Sequence, residues 1–181
     1  THALTYTVTV TDDGTGALNA NAVVTSTSGS ETFTNTYQPA GTALALGAQK
    51  SYVKKDDGTS IALKGGEFTF DVYEGNLTAE QLKGKQPVQT ATNGADGSVS
   101  FGAFSYAKPG TYEYTIVERK GDLSHVTYDA TVHHAVVTVV DSAGTLQASV
   151  AYDGKDATKP AFTNTYKAQA TGSGAIALTK S

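Results

Sequence analysis

One pentapeptide occurs twice in this chain, and its spacing limits what the chain can fold into. Phe33-Thr34-Asn35-Thr36-Tyr37 recurs unchanged as Phe162-Thr163-Asn164-Thr165-Tyr166, an offset of 129 residues. The flanks repeat at nearly the same offset. Thr9-Val10-Thr11-Asp12 parallels Thr138-Val139-Val140-Asp141, and Ala17-Leu18-Asn19-Ala20 parallels Thr145-Leu146-Gln147-Ala148. Further on, the stretch from Ala43 to Ser51 resembles Ala175-Ile176-Ala177-Leu178-Thr179-Lys180-Ser181. A period of this length is one domain. Residues 1–37 therefore read as the last strands of one repeat, 38–167 as a complete repeat, and 168–181 as a linker and the first strand of the next. The chain opens in mid-pattern at Thr1-His2-Ala3-Leu4, without a leader, and is read as a piece of something longer.

Within the complete repeat, apolar and polar residues alternate with period 2, the signature of half-buried strands. Strands are expected near 43–53, 67–73, 87–92, 98–106, 111–119, 126–140, 145–152 and 161–166. The breaks between them carry turn chemistry, as in Asp56-Asp57-Gly58, Asn93-Gly94-Ala95-Asp96-Gly97 and Lys108-Pro109-Gly110. One short helix is expected at 79–83, with Thr78 as N-cap and Gln81 closing a capping box. Many short strands with regular turns point to an all-β sandwich, with a barrel as the alternative. The chain has no Cys, so disulfides and thiolate metal sites are excluded. A secreted β-protein of this kind needs another source of stability.

Three polar side chains interrupt the apolar rows. Side chains in a strand alternate between faces, so residues of one parity share a face. Leu44, Leu46 and Ala48 lead to Lys50; Tyr112, Tyr114 and Ile116 lead to Glu118; Phe162 and Tyr166 flank Asn164. An amine, a carboxyl and a carboxamide are thus expected on the buried side of three strands. Unpaired buried charge is costly, so such groups must pair or neutralise. One reading is an ordinary buried Lys–Glu pair beside a hydrogen-bonded Asn, or alternation that frays at the strand ends and leaves all three in water. The other is chemical. Burial lowers a Lys pKa and frees its nucleophilic amine, while burial raises a Glu pKa and keeps it protonated. A protonated Glu118 would donate a hydrogen bond to the Asn164 carboxamide oxygen and carry a proton from the attacking Lys50 to leaving ammonia. The product is a Lys50–Asn164 amide, formed once per domain without a cofactor.

Several stretches carry a family resemblance: Leu63-Lys64-Gly65-Gly66-Glu67-Phe68-Thr69-Phe70, Asp96-Gly97-Ser98-Val99-Ser100-Phe101, Gly110 to Glu118, Val126-Thr127-Tyr128-Asp129, and the closing Phe162 to Tyr166. In order and spacing, residues 42–166 resemble the isopeptide-containing domain of Gram-positive pilins, the T-antigen major-pilin (FctA-like) family, related to CnaB-type adhesin stalk domains. The resemblance implies an Ig-like (CnaB-type) β-sandwich whose first and last strands run side by side. It also implies that Lys50, Asn164 and Glu118 are the nucleophile, the acceptor and the catalytic acid. Lys54 and Lys55 are rival nucleophiles expected near a solvated turn. Asn35 and Lys180 are the equivalent cross-link residues of the neighbouring partial repeats. The implied setting is extracellular, on the cell surface, with adjacent repeats and other copies in a fibre as partners.

Other functions find little support. With 13 Lys+Arg against 17 Asp+Glu and a net charge of −4, the chain lacks the basic surface that nucleic acid or an anionic membrane requires. No run is long and apolar enough to insert in a membrane. His133 and His134 are adjacent in a strand and point to opposite faces, so they do not chelate one ion together; His2 and His125 stand apart, and no metal is expected. Asp56-Asp57-Gly58 and Asp12-Asp13-Gly14 lack the spacing of calcium loops. The expected role is a structural repeat of a stalk or pilus shaft, not a turnover enzyme. The alternative is a binding module whose loops recognise a host protein or glycan. A Thr–Gln ester cross-link is disfavoured because Lys stands at the nucleophile position.

Overall fold

The computed structural model describes residues 4–27 and 35–168. The chain divides into two units, Thr1–Gln38 and Pro39–Ser181. The first holds an antiparallel hairpin of β1 (Leu4–Asp12) and β2 (Leu18–Thr27). Its turn is closed by Asp12 and Asp13, whose carboxylates accept the backbone N–H groups of Gly14 and Thr15 at 2.8 Å.

Among the described residues, the second unit contains ten strands in chain order. They are β3 (Thr42–Lys54), β4 (Thr69–Glu74), β5 (Gln89–Thr92), β6 (Ser98–Tyr106), β7 (Gly110–Arg119), β8 (Val126–Thr127), β9 (Val132–Ser142), β10 (Thr145–Tyr152), β11 (Lys155–Asp156) and β12 (Ala161–Tyr166). They form a six-stranded sheet, β11-β10-β9-β7-β4-β5, and a four-stranded sheet, β6-β3-β12-β8. Inward residues of both sheets share one core. Leu46, Ala48, Val99, Phe101 and Phe162 come from the smaller sheet; Phe70, Val72, Ile116, Val137 and Leu146 come from the larger. This is a β-sandwich rather than a barrel, because each sheet keeps its own edges. The fold is all-β.

The first and last strands of this unit are neighbours. β12 pairs with β3 in parallel, Phe162 opposite Lys50 and Asn164 opposite Tyr52. The alternation read from the sequence holds in both: Leu46, Ala48 and Lys50 are buried, as are Phe162 and Asn164, while Gln49 and Thr163 are exposed.

Two expected elements differ. The expected strand 126–140 is two strands, because the chain changes sheets between them. β8 pairs with β12 in the smaller sheet, and β9 pairs with β7 and β10 in the larger. One straight strand cannot serve both ladders, so Tyr128–Thr131 leaves strand geometry. The expected helix at 79–83 is only a turn. Its cap forms, with Gln81 N–H on Thr78 Oγ1 and Thr78 N–H on Gln81 Oε1. Gly84 then takes a φ of 76° and the helical path stops.

Candidate functional site

β3 brings Lys50 to the core and is held there by the turn preceding β6. Lys50 N–H donates to the Gly97 carbonyl at 2.7 Å. Gly97 has a φ of +79°, and a Cβ on it would lie 2.3 Å from the Lys50 carbonyl oxygen. Only glycine permits that approach. From the opposite sheet, β7 carries Glu118 inward. β12 supplies Asn164 beside β3.

These three side chains meet. The Lys50 Nζ lies 2.7 Å from Glu118 Oε2. Asn164 Nδ2 donates to Glu118 Oε1 at 2.5 Å. The Lys50 and Glu118 side chains are wholly excluded from solvent, and Asn164 is 0% exposed. Lys50 Nζ stands 4.7 Å from the centre of the Phe68 ring, and Phe68 is itself packed edge-on by Tyr52 and Tyr128. This aromatic wall keeps water from the amine.

The low-dielectric setting moves both titrating groups toward neutrality. Burial pushes the Lys50 amine below its ordinary value, against the opposing pull of the Glu118 hydrogen bond and charge. Burial likewise pushes the Glu118 carboxyl up, against the hydrogen bonds from Lys50 and Asn164. A neutral amine beside a neutral acid holds the same number of protons as an ion pair, and desolvation favours the neutral form.

The carboxamide faces differently from the sequence expectation. That expectation gives Glu118 the Asn164 oxygen, but Glu118 holds the nitrogen. Asn164 Oδ1 instead accepts the backbone N–H of Asp129 at 2.8 Å. The reason is the sheet change at Tyr128–Thr131, which turns a backbone donor toward β12. Sequence reasoning misses Asp129 as a site residue, since the strand alternation runs through it without interruption. Only the Asp129-Ala130-Thr131 composition, with an Asx-turn acceptor two residues before a Thr, signals a break. Burial works against the Asp129 carboxylate, but hydrogen bonds from Thr131 and Thr163 outweigh it and hold the group below its ordinary value.

The remaining sequence candidates lie elsewhere. Lys54 and Lys55 are exposed at the end of β3 and its turn. Asn35 is exposed and outside any strand, whereas Asn164, in the same pentapeptide, is buried beside β3. Lys180 and His2 lie outside the described residues. His133 Nδ1 is 2.7 Å from Asp153 Oδ2, and His134 Nδ1 is 3.5 Å from Thr115 Oγ1. Among the described residues, no group of three or more His, Asp or Glu side chains is placed to hold a metal.

A sandwich with parallel terminal strands and a Lys–Glu–Asn set buried between its sheets defines a class of β-domain, one whose two ends meet at a dry polar trio. The chain belongs to one such family: residues 1–38 and 46–167 match the Spy0128-like isopeptide-containing domain, FctA. It is a pilin domain family of Gram-positive bacteria. Among solved structures, the major pilin from Streptococcus pyogenes is similar at 18% identity and a TM-score of 0.42, over 67% of this chain and 50% of that one. The T-13 major pilin from a Streptococcus pyogenes serotype is similar at 17% identity and a TM-score of 0.43, over 71% of this chain and 55% of that one. The chain thus matches about half the length of these pilins. No curated protein sequence matches it.

Proposed function

We propose that this chain is a structural segment of a Gram-positive pilus shaft or surface stalk, and that its 38–167 repeat locks itself with a Lys50–Asn164 isopeptide bond. The observation that carries the reading is one carboxyl, Glu118, bridging the amine and the carboxamide nitrogen in a dry site. In the reaction, neutral Lys50 Nζ attacks Asn164 Cγ. The carbonyl oxygen gains negative charge where the Asp129 N–H already donates. Glu118 takes a proton from the attacking nitrogen at Oε2 and delivers one to the departing nitrogen at Oε1. Ammonia leaves, the new C–N bond replaces the old one, and Glu118 ends as it began. The fold contributes proximity and orientation. A groove lined by Glu118, Lys120 and the Val126–Ala130 segment lies beside the site.

Intact mass tests this. Wild-type protein is expected to be lighter than its sequence by one ammonia, while Lys50→Ala and Glu118→Ala keep their full calculated masses. A wild type at full mass would leave Lys50 and Glu118 as an ordinary buried pair and return the binding-module reading to the front. Peptide mapping then identifies the two joined residues.

The same reading treats residues 1–37 as the closing strands of a preceding repeat. The β1–β2 hairpin supports it residue by residue. Its exposed row of Tyr6, Val8, Val10 and Leu18 stands at the repeat positions of Ala135, Val137, Val139 and Leu146, all buried in the complete sandwich. Anchoring to the cell wall and assembly with other copies in a fibre follow from the family and belong to this proposal. So does a host ligand, whose identity the site does not suggest.

A further inference from the structure

The carboxylate of Asp129 has no part in the reaction above, yet it is bound on every side. Its Oδ2 accepts the Thr163 N–H at 2.8 Å, and its Oδ1 accepts the Thr131 N–H at 2.9 Å and the Thr131 hydroxyl at 2.5 Å. Thr163 precedes Asn164 on β12. One residue therefore grips β12 twice, through its side chain at Thr163 and through its backbone N–H at Asn164 Oδ1. The grip matters because a carboxamide has two ends of almost equal size and opposite hydrogen-bonding character. Turned the other way, Asn164 would set its NH2 against the Asp129 N–H, donor against donor. Its oxygen would face Glu118, and the departing nitrogen would have no proton source.

We propose that Asp129 is the positioning residue of the cross-link: its carboxylate pins its own backbone N–H against Asn164 Oδ1, which turns the carboxamide nitrogen to Glu118 and holds the oxyanion formed on attack. This rests on the cross-linking reading of Lys50, Glu118 and Asn164. The residue touches the acceptor only through its backbone, so the side chain acts at one remove, by fixing the peptide that does.

The test is the time course of ammonia loss, read by intact mass on freshly synthesised full-length chain. Removing an oxyanion donor outright costs about 10²–10³-fold. Asp129→Ala only frees that donor to drift, so it is expected to slow the reaction by about tenfold or more. Asp129→Asn keeps an acceptor for Thr131 but not one for both partners, and is expected to fall between Asp129→Ala and wild type. The deciding comparison uses Asn164→Asp, in which the acceptor has two oxygens, no wrong end, and loses water instead of ammonia. There Asp129→Ala is expected to slow the reaction by a clearly smaller factor. Equal slowing in both backgrounds would mean general loosening of the fold and would overturn the orienting role. An Asp129→Ala rate equal to wild type would overturn it too. Wild type that loses no ammonia at all would instead remove the cross-link itself, and Asp129's role with it.

Discussion

Glu118 has a different neighbour on each carboxyl oxygen, and the pair it forms with Lys50 would set when the proposed cross-linking can run. In the proposed reaction, the reactive state holds one shared proton between the two groups. Acid adds a second proton and blocks the amine; alkali removes the last and leaves Glu118 with nothing to deliver. Burial lowers Lys50 from 10.5 and raises Glu118 from 4.5, so the two limits belong to the coupled pair and not to either residue. The rate of ammonia loss from fresh chain is expected to be flat near neutral pH and to fall on both sides. A rate that climbs steadily into alkali would mean that an exposed, ordinary lysine is the nucleophile. Both residues were legible from strand parity alone, because each ends an apolar row. The direction of the carboxamide was not. It depends on a backbone N–H, which every residue but proline carries and no sequence pattern marks.

At the scale of elements, turns and alternation located most strands to within two residues, since the longer strands of this sandwich mostly bury one face. Reading failed where a strand changed partners. Val126 to Val140 keeps its apolar rhythm across Tyr128–Thr131, and periodicity reports burial without saying against which sheet. The two-residue β11 was also unread, being too short to show a period. The pentapeptide makes the same point from the other side: identical residues form a strand at 161–166, where β3 is the partner, and none at Asn35–Tyr37. The β1–β2 hairpin has an apolar row fit for a core, so its amides should be slowed in hydrogen exchange by chain that supplies the covering strands. A protein extended at its N-terminus by one further repeat is expected to exchange these amides at least about tenfold more slowly. Unchanged exchange would reject the view that residues 1–37 close a preceding repeat.

At the scale of the whole molecule, a Lys50–Asn164 bond would close a loop that spans nearly all of the second unit. Treated like a disulfide, a loop of ~100 residues limits the freedom of the unfolded chain by roughly 4.7 kcal/mol. For a domain of this size that corresponds to about 15 °C in melting temperature. Glu118→Ala is expected to melt lower than wild type by at least that much, because it also loses a buried carboxyl from between two partners. A difference of a degree or two in calorimetry would argue that no covalent loop was lost. The chain carries no cysteine, so no disulfide competes with this closure.

The parallel pairing of β3 and β12 has a mechanical consequence of its own. Because the two strands point the same way, the unit's incoming end lies at one edge of their shared ladder and its outgoing end at the other. Before the proposed Lys50–Asn164 bond forms, stretching the chain would slide the strands lengthwise past each other. The hydrogen bonds between residues 49–54 and 161–166 would be loaded in shear, all at once, whereas an antiparallel pair pulled from its open end would peel one bond at a time; the proposed amide would carry that load in their place.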